Sequence, residues 1–157
     1  MTAQRTYTIN FRAVSISAVQ DLCAAYAGAS MGIEVVSITL GQITQTSVEE
    51  CQISIKRLPA TVTAGTGGSA MTPTPDTDTD SAATFTARIN DVTQATSGGT
   101  VVYPHTDVWN EVNGYQWIFP ERARPSCKLS EALIFSLDSA PAAGRTTNGS
   151  MKIRELF

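Results

Sequence analysis

Histidine is the side chain best suited to proton transfer near neutral pH, and this sequence holds one, His105, in the run Tyr103-Pro104-His105-Thr106-Asp107. Catalysis asks for a nucleophile or a second acid/base group placed beside it. No G-x-S-x-G elbow and no paired-histidine motif accompanies it, so His105 reads as a structural histidine that hydrogen-bonds loop backbone. The run Asp76-Thr77-Asp78-Thr79-Asp80 imitates the opening of an EF-hand calcium loop. The imitation fails where the sharp turn needs glycine, at Ser81, and where the bidentate glutamate belongs, at Ala87. A solvated acidic loop is the expectation there. Gly65, Gly67, Gly68, Gly98 and Gly99 lack the following Lys-Ser/Thr of a phosphate loop and read as turn glycines. Cys23, Cys51 and Cys127 are odd in number and widely spaced, with no CxxC pair. Buried free thiols of a reducing cytoplasm are expected. These residues assign no catalytic site, no metal site and no cofactor, and the chain is not expected to be an enzyme.

The densest patch of another kind of chemistry runs from Val108 to Pro125, where Trp109, Tyr115 and Trp117 stand beside Arg122 and Arg124. Aromatics with arginine are the types enriched at protein interfaces, and aromatics also stack on sugar rings. One tryptophan can fill a core. With both in one ribbon on opposite faces, the other is left to bind something.

The elements that carry these residues come from period-two alternation. Tyr7 to Ala13, Ile33 to Gly41, Val48 to Leu58, Thr84 to Ile89, Glu131 to Leu137 and Ser150 to Phe157 each alternate apolar with polar residues and predict half-buried strands. Asn113-Gly114 between Asp107 to Val112 and Tyr115 to Phe119 predicts a type I′ hairpin, which needs positive φ at both central residues. Ser17 to Gly28 breaks the pattern. Val19, Leu22, Cys23 and Tyr26 fall at helical spacing, Ser17 and Gln20 form a capping box, and Gly28 is a stop. One short helix is expected there, with an irregular strand from Leu22 as the rival.

Among the 157 residues, 21 are Thr and 14 are Ser, while only 16% are charged. Hydroxyls on half-exposed strands favour an all-β chain over a helical bundle. The stretch 64–83 is poor in apolar residues, and its Asp76, Asp78 and Asp80 account for the net charge of −3, since without them 11 acids face 11 bases. Strands on both sides make it a loop excursion within one domain spanning residues 1–157. Its composition cannot order it alone, so a neighbouring subunit should supply the contacts, with Pro73 and Pro75 stiffening the arm, and its removal should leave the fold intact. The charge balance argues against a nucleic-acid partner. No run of about 18 apolar residues and no leader-like N-terminus occurs, so no membrane is expected. On the same ground Asn148-Gly149-Ser150 is set aside as a glycosylation acceptor. The architecture predicted is an antiparallel β-sandwich of jelly-roll type with one short helix and a long low-complexity loop. An immunoglobulin-type sandwich ranks lower, for want of its Cys…Trp…Cys spacing.

With those residues in view, the chain resembles the small jelly-roll proteins that decorate or cement the capsids of tailed bacteriophages. The matching features are the Tyr7-Thr-Ile-Asn-Phe11 strand, Ala18-Val-Gln-Asp-Leu22, Ile38-Thr-Leu-Gly-Gln42, the Thr/Pro/Gly loop, His105-Thr-Asp-Val-Trp-Asn110, Gly114-Tyr-Gln-Trp117 with Pro120-Glu121, and the closing strand. The resemblance implies a structural virion protein on the capsid surface, made in the host cytoplasm. Its partners would be the major capsid protein and itself, as a homotrimer. It transfers no catalytic residue. The alternative is a carbohydrate-binding sandwich module, a receptor-binding or fibre-tip component.

Overall fold

A computed structural model describes residues 4–44 and 48–157. The described chain is nearly all β. Its strands are β1 (Thr6–Ile16), β2 (Gln20–Tyr26), β3 (Gly32–Gln42), β4 (Glu50–Leu58), β5 (Val62–Thr63), β6 (Ser69–Met71), β7 (Thr74–Pro75), β8 (Thr86–Asp91), β9 (Thr96–Ser97), β10 (Val102–Asn110), β11 (Tyr115–Ile118), β12 (Ser126–Cys127), β13 (Ala132–Leu137) and β14 (Arg145–Leu156). One antiparallel sheet has the order β11-β3-β14-β1-β7, with β12 also beside β3. The second has the order β10-β4-β13-β2-β8-β6. The inward residues of both sheets, among them Tyr7, Ile9, Ile38, Ile53, Ile55, Phe135, Met151 and Ile153, merge into one core. This is a β-sandwich. Its long strands pair first with last: β1 with β14, β2 with β13, β3 with β11 and β4 with β10.

Each of the six alternating segments falls largely within a strand, because alternation places one apolar face over a core, although Val48, Glu49, Thr84, Phe85, Glu131 and Phe157 lie outside the strands. The closing strand begins earlier than expected, at Arg145. Its extra inward positions are Arg145, Thr147 and Gly149, which are buried without being large and apolar. Gly149 is needed there, since a Cβ would stand 2.5 Å from the Phe11 ring.

The helix expected over Ser17 to Gly28 is absent, and β2 occupies that segment. The strand is covered on both faces. Leu22, Cys23 and Ala25 enter the main core, while Ala24 faces a second cluster with Leu58, Ala132 and Ile134. A two-sided strand loses its alternation. A register shift opposite Phe135 and Ser136 leaves Leu22 unpaired with β13, and the bulge puts Leu22 and Cys23 on the same side, which mimics helical spacing. Gly28 serves close approach and not helix termination, since a Cβ would meet the Thr84 carbonyl at 2.2 Å.

The Asn113-Gly114 hairpin is also absent. β10 pairs with β4 in one sheet and β11 with β3 in the other, so residues 111–114 cross between sheets. Each flanking strand finds a better inward partner than its neighbour in sequence: Trp109 lies opposite Cys51, and Tyr115 opposite Leu40. Tertiary pairing overrides the local turn preference. Gly114 does not have positive φ, and a Cβ there would come no nearer than 3.8 Å to the Leu40 carbonyl. Gly114→Val is therefore expected to shift stability by less than about 0.5 kcal/mol. A clear drop in melting temperature would restore the hairpin.

The stretch 64–83 is tied to its own domain. β6 pairs with β8, β7 pairs with β1, Pro73 is buried, and the Tyr7 hydroxyl donates to the Ser81 carbonyl at 2.8 Å. No neighbouring subunit is required. Apolar composition misjudges it because edge pairing satisfies backbone groups with little help from side chains. On the outer face of the second sheet, Val62, Ala95 and Val101 cover Ala24, Leu58, Ala132 and Ile134, with the β5–β9 ribbon alongside. Gln94 donates to Ser136 at 2.8 Å, and the Ala95 amide to Asp21 at 2.7 Å.

Candidate functional site

β10 and β11 are edge strands of different sheets on the same flank of the sandwich. Alternation turns His105, Asp107 and Trp109 of β10 inward, opposite Ile55, Ile53 and Cys51, and turns Tyr115 and Trp117 of β11 inward, opposite Leu40 and Ile38. At this flank the apolar core gives way to a polar seam. The Tyr115 hydroxyl donates to Asp107 Oδ2 at 2.8 Å, and His105 Nε2 stands 3.0 Å from the same hydroxyl. With the phenol proton committed to Asp107, Nε2 carries a hydrogen and donates to the phenol oxygen. The His105 ring lies 5.2 Å from Trp117 and meets Phe119 edge-on at 5.1 Å.

Burial pushes the Tyr115 phenol up, and its bond to Asp107 pushes it further. The Val108 amide and the Tyr115 hydroxyl hold the Asp107 carboxyl below the ordinary carboxylate value. Burial lowers His105, with Asp107 opposing. The seam is thus a protonated tyrosine locked between a neutral histidine and a carboxylate, which stitches the sheets together and raises no nucleophile. His105 bonds a side chain of the other sheet, not loop backbone. A lowered folded value means that the stability held by neutral His105 is present above the ordinary value of 6.5 and is lost as pH falls through the folded value. The stability advantage of wild type over His105→Gln is expected to shrink between about pH 7.5 and about pH 5. A constant difference in melting temperature across that range would remove the assignment.

The two tryptophans divide. Trp109 is 1% exposed, with its indole N–H donating to the Asn113 carbonyl, so it is core and cannot be an interface residue. Trp117 is 43% exposed and Ile118 is 65% exposed. Tyr103 and Val102 on β10 are exposed nearby in sequence to His105. Arg124 is held by Glu34 at 3.0 Å, whereas exposed Arg122 has no ion pair among the described residues. Tyr115 is half-buried in the seam.

The other expected interface residues fall on the opposite edge of the same sheet, beyond β3, β14 and β1, about 19 Å away at the usual strand spacing. Pro73 is buried, and Pro75 sits within β7 opposite Tyr7. Asp76 accepts from the Thr8 hydroxyl at 2.8 Å and pairs with Lys152 at 3.0 Å, so it is no free calcium ligand. Exposed Asp78 and half-buried Asp80 have no ion pair among the described residues. The structure therefore brings the ten residues together as two patches and removes Trp109 and Pro73 from both.

One cluster has no signal in the sequence. Glu49, Cys51 and Glu111 place ligand atoms within 4.8 Å of one another, but the Arg145 guanidinium pairs with both carboxylates and supplies the cation. The Cys51 thiol donates to Glu111 at 3.1 Å. All three cysteines are buried and unpaired. Burial pushes every thiol up, Cys127 to about 12, so they remain protonated. No helix among the described residues is long and apolar enough to cross a membrane. No family model matches the chain, and no curated protein or solved structure matches it.

Proposed function

We propose that this chain is a non-catalytic structural protein of a virion, a jelly roll that docks on the outer surface of an assembled phage capsid and stabilises it. The first-with-last pairing supports the jelly-roll reading: taken as strands one to eight, β1, β2, β3, β4, β10, β11, β13 and β14 form a long antiparallel ribbon wound into two sheets. Residues 59–101 are then an elaboration at the ribbon's tip. The observation that carries docking is the uncovered edge at Trp117 and Ile118, rigidly backed by the His105–Tyr115–Asp107 seam. The resemblance of the chain to cement proteins names the partner as the major capsid protein.

The separation of the two patches supports a head-to-tail assembly, and three subunits is what the resemblance to cement proteins implies. Contacts between unlike patches close into a ring where the rotation between subunits closes. Arg122 beside one edge and Asp78 and Asp80 beside the other are oppositely charged and without ion pairs among the described residues. Such a ring is head-to-tail.

The test is co-sedimentation with shells stripped of the protein. Wild type is expected at fixed stoichiometry. Trp117→Ala combined with Ile118→Ser is expected to lower affinity by about tenfold or more. Ile118→Ser alone, at a side chain 65% exposed, is expected to weaken binding with little change in melting temperature, whereas Trp117→Ala also removes the ring that packs on His105. Absence from shells, or undiminished binding by the double variant, would overturn the docking reading. Retention on a glycan surface with quenched Trp117 fluorescence would instead select the carbohydrate-binding alternative.

A further inference from the structure

At the end of the sandwich where β4 leaves the second sheet and β12 meets the first, a cavity of about 360 Å³ opens between them. Pro59, Val102 and Leu156 make its apolar wall, and Arg57, Lys128 and Glu131 supply its charges. Arg57 is half-buried, with Nη1 donating to the Ser126 carbonyl at 3.2 Å. That bond aims the guanidinium across the gap between sheets and leaves most of its donors open. Neither Arg57 nor Lys128 pairs with a carboxylate among the described residues. Lys128 is exposed, like the unpaired Arg12 and Arg122, and water solvates all three. A half-buried guanidinium against apolar walls has less water to replace a partner. Glu131 is no substitute, because its Oε2 accepts the Lys128 amide at 3.0 Å and closes the turn below the cavity.

We infer that this cavity is a binding site for a single carboxylate carried on a short apolar stem. Arg57 offers the planar fork that a carboxylate meets with two parallel hydrogen bonds, and Lys128 adds a second positive charge. Val102, Leu156 and Pro59 bury the stem. The volume lies at the small end of the range for ligand pockets. Glu131 sets the charge limit: beside two cations it leaves net attraction for one negative charge and disfavours a dianion such as phosphate. The carboxylate can come from a free short-chain acid or from the C-terminus of a peptide ending in an apolar residue. The site stands whether or not the chain attaches to a shell.

The experiment is an amide and arginine Nε–H chemical-shift titration of the isotope-labelled protein. The probes are acetate, hexanoate, inorganic phosphate, and a short peptide ending in Val-Leu with either a free or an amidated C-terminus. Saturable shifts at Arg57 and residues 126–131 are expected with hexanoate, at least about tenfold tighter than with acetate or phosphate. Tighter binding of the free-acid peptide than of hexanoate, lost on amidation, would identify a chain terminus as the source. Preference for hexanoate would identify a free acid. Arg57→Gln is expected to weaken binding by about tenfold or more. Because that change also removes the tie to Ser126, Val102→Glu provides a second variant, placing a competing carboxylate at the exposed mouth without touching the tie. It should abolish binding with the spectrum elsewhere unchanged. Phosphate binding as tight as hexanoate, no saturation by about 20 mM, or unaltered binding by Val102→Glu would each overturn the inference.

Discussion

Arg145→Ala is expected to cost about 3–5 kcal/mol of folding stability, the largest effect of any single substitution considered for this chain. The Arg145 side chain is fully buried at the start of β14. It pairs with Glu49 at 2.8 Å just before β4, with Glu111 just after β10, and donates through Nε to the Ala143 carbonyl at 3.2 Å. One guanidinium thus binds segments of both sheets at one end of the sandwich. Its removal strands the Glu111 carboxylate, whose side chain is 0% exposed, without a counter-charge. Glu49 is 28% exposed and suffers less. The cost arises from breaking the pair, not from any large net worth of having it, so the double variant Arg145→Met with Glu111→Leu should recover most of the loss. Urea unfolding at constant slope separates the two. A loss below about 1 kcal/mol for Arg145→Ala would place the pair with exposed salt bridges of small worth and remove it as a tie between the sheets.

That tie lies where the sequence is least legible. Alternation finds a strand when its inward positions are apolar, as at Tyr7, Ile9 and Phe11, and it is silent when they are Arg145, Thr147 and Gly149. Burial of such residues depends on partners from distant segments, Glu49 and Glu111 for Arg145 and the Phe11 ring over Gly149, and no local window contains them. β2 fails for the opposite reason. Covered by the main core on one side and by Val62, Ala95 and Val101 on the other, it has no polar face to alternate with. The Asn113-Gly114 turn is a true local preference outvoted by two strand pairings. For the candidate site, the aromatic run divides between core and surface, with Trp109 buried and Trp117 partly exposed. The sequence could not tell Trp117 from Trp109, because both sit on edge strands opposite buried residues, Ile38 and Cys51, and only the tertiary cover that leaves one 43% and the other 1% exposed separates them.

Replacing residues 66–80 by a short Gly-Ser link is expected to destabilise the isolated protein by about 3–5 kcal/mol, against the reading of this stretch as a dispensable arm. Three losses combine. The Gly68 amide donates to Asp91 Oδ1 at 3.0 Å, and Asp91 is 1% exposed, so its remaining support would be Arg88. Partly buried Met71 packs against the main core, and its removal uncovers apolar surface worth about 1 kcal/mol, less than a fully buried side chain would lose. β1 and β8 would become bare edges where β7 and β6 had covered them, and the Asp76 contacts to Thr8 and Lys152 would vanish. Faster hydrogen exchange at β1 and β8 should accompany the drop in unfolding midpoint. Gly68→Ala isolates the attachment point, since a Cβ there would stand 2.1 Å from the Ile89 carbonyl and the backbone has to move. Most of the effect of the deletion should appear in it. A melting temperature within about 2 °C of wild type for both variants would show the stretch to be loosely held after all. Because the deletion disturbs the fold, it cannot report on assembly. Asp78→Asn with Asp80→Asn can: neither carboxylate has an ion pair among the described residues, so the fold should be unchanged. In a head-to-tail ring facing Arg122, losing both charges should weaken the trimer and leave the monomer as stable as before, a separation that sedimentation and thermal melting read independently.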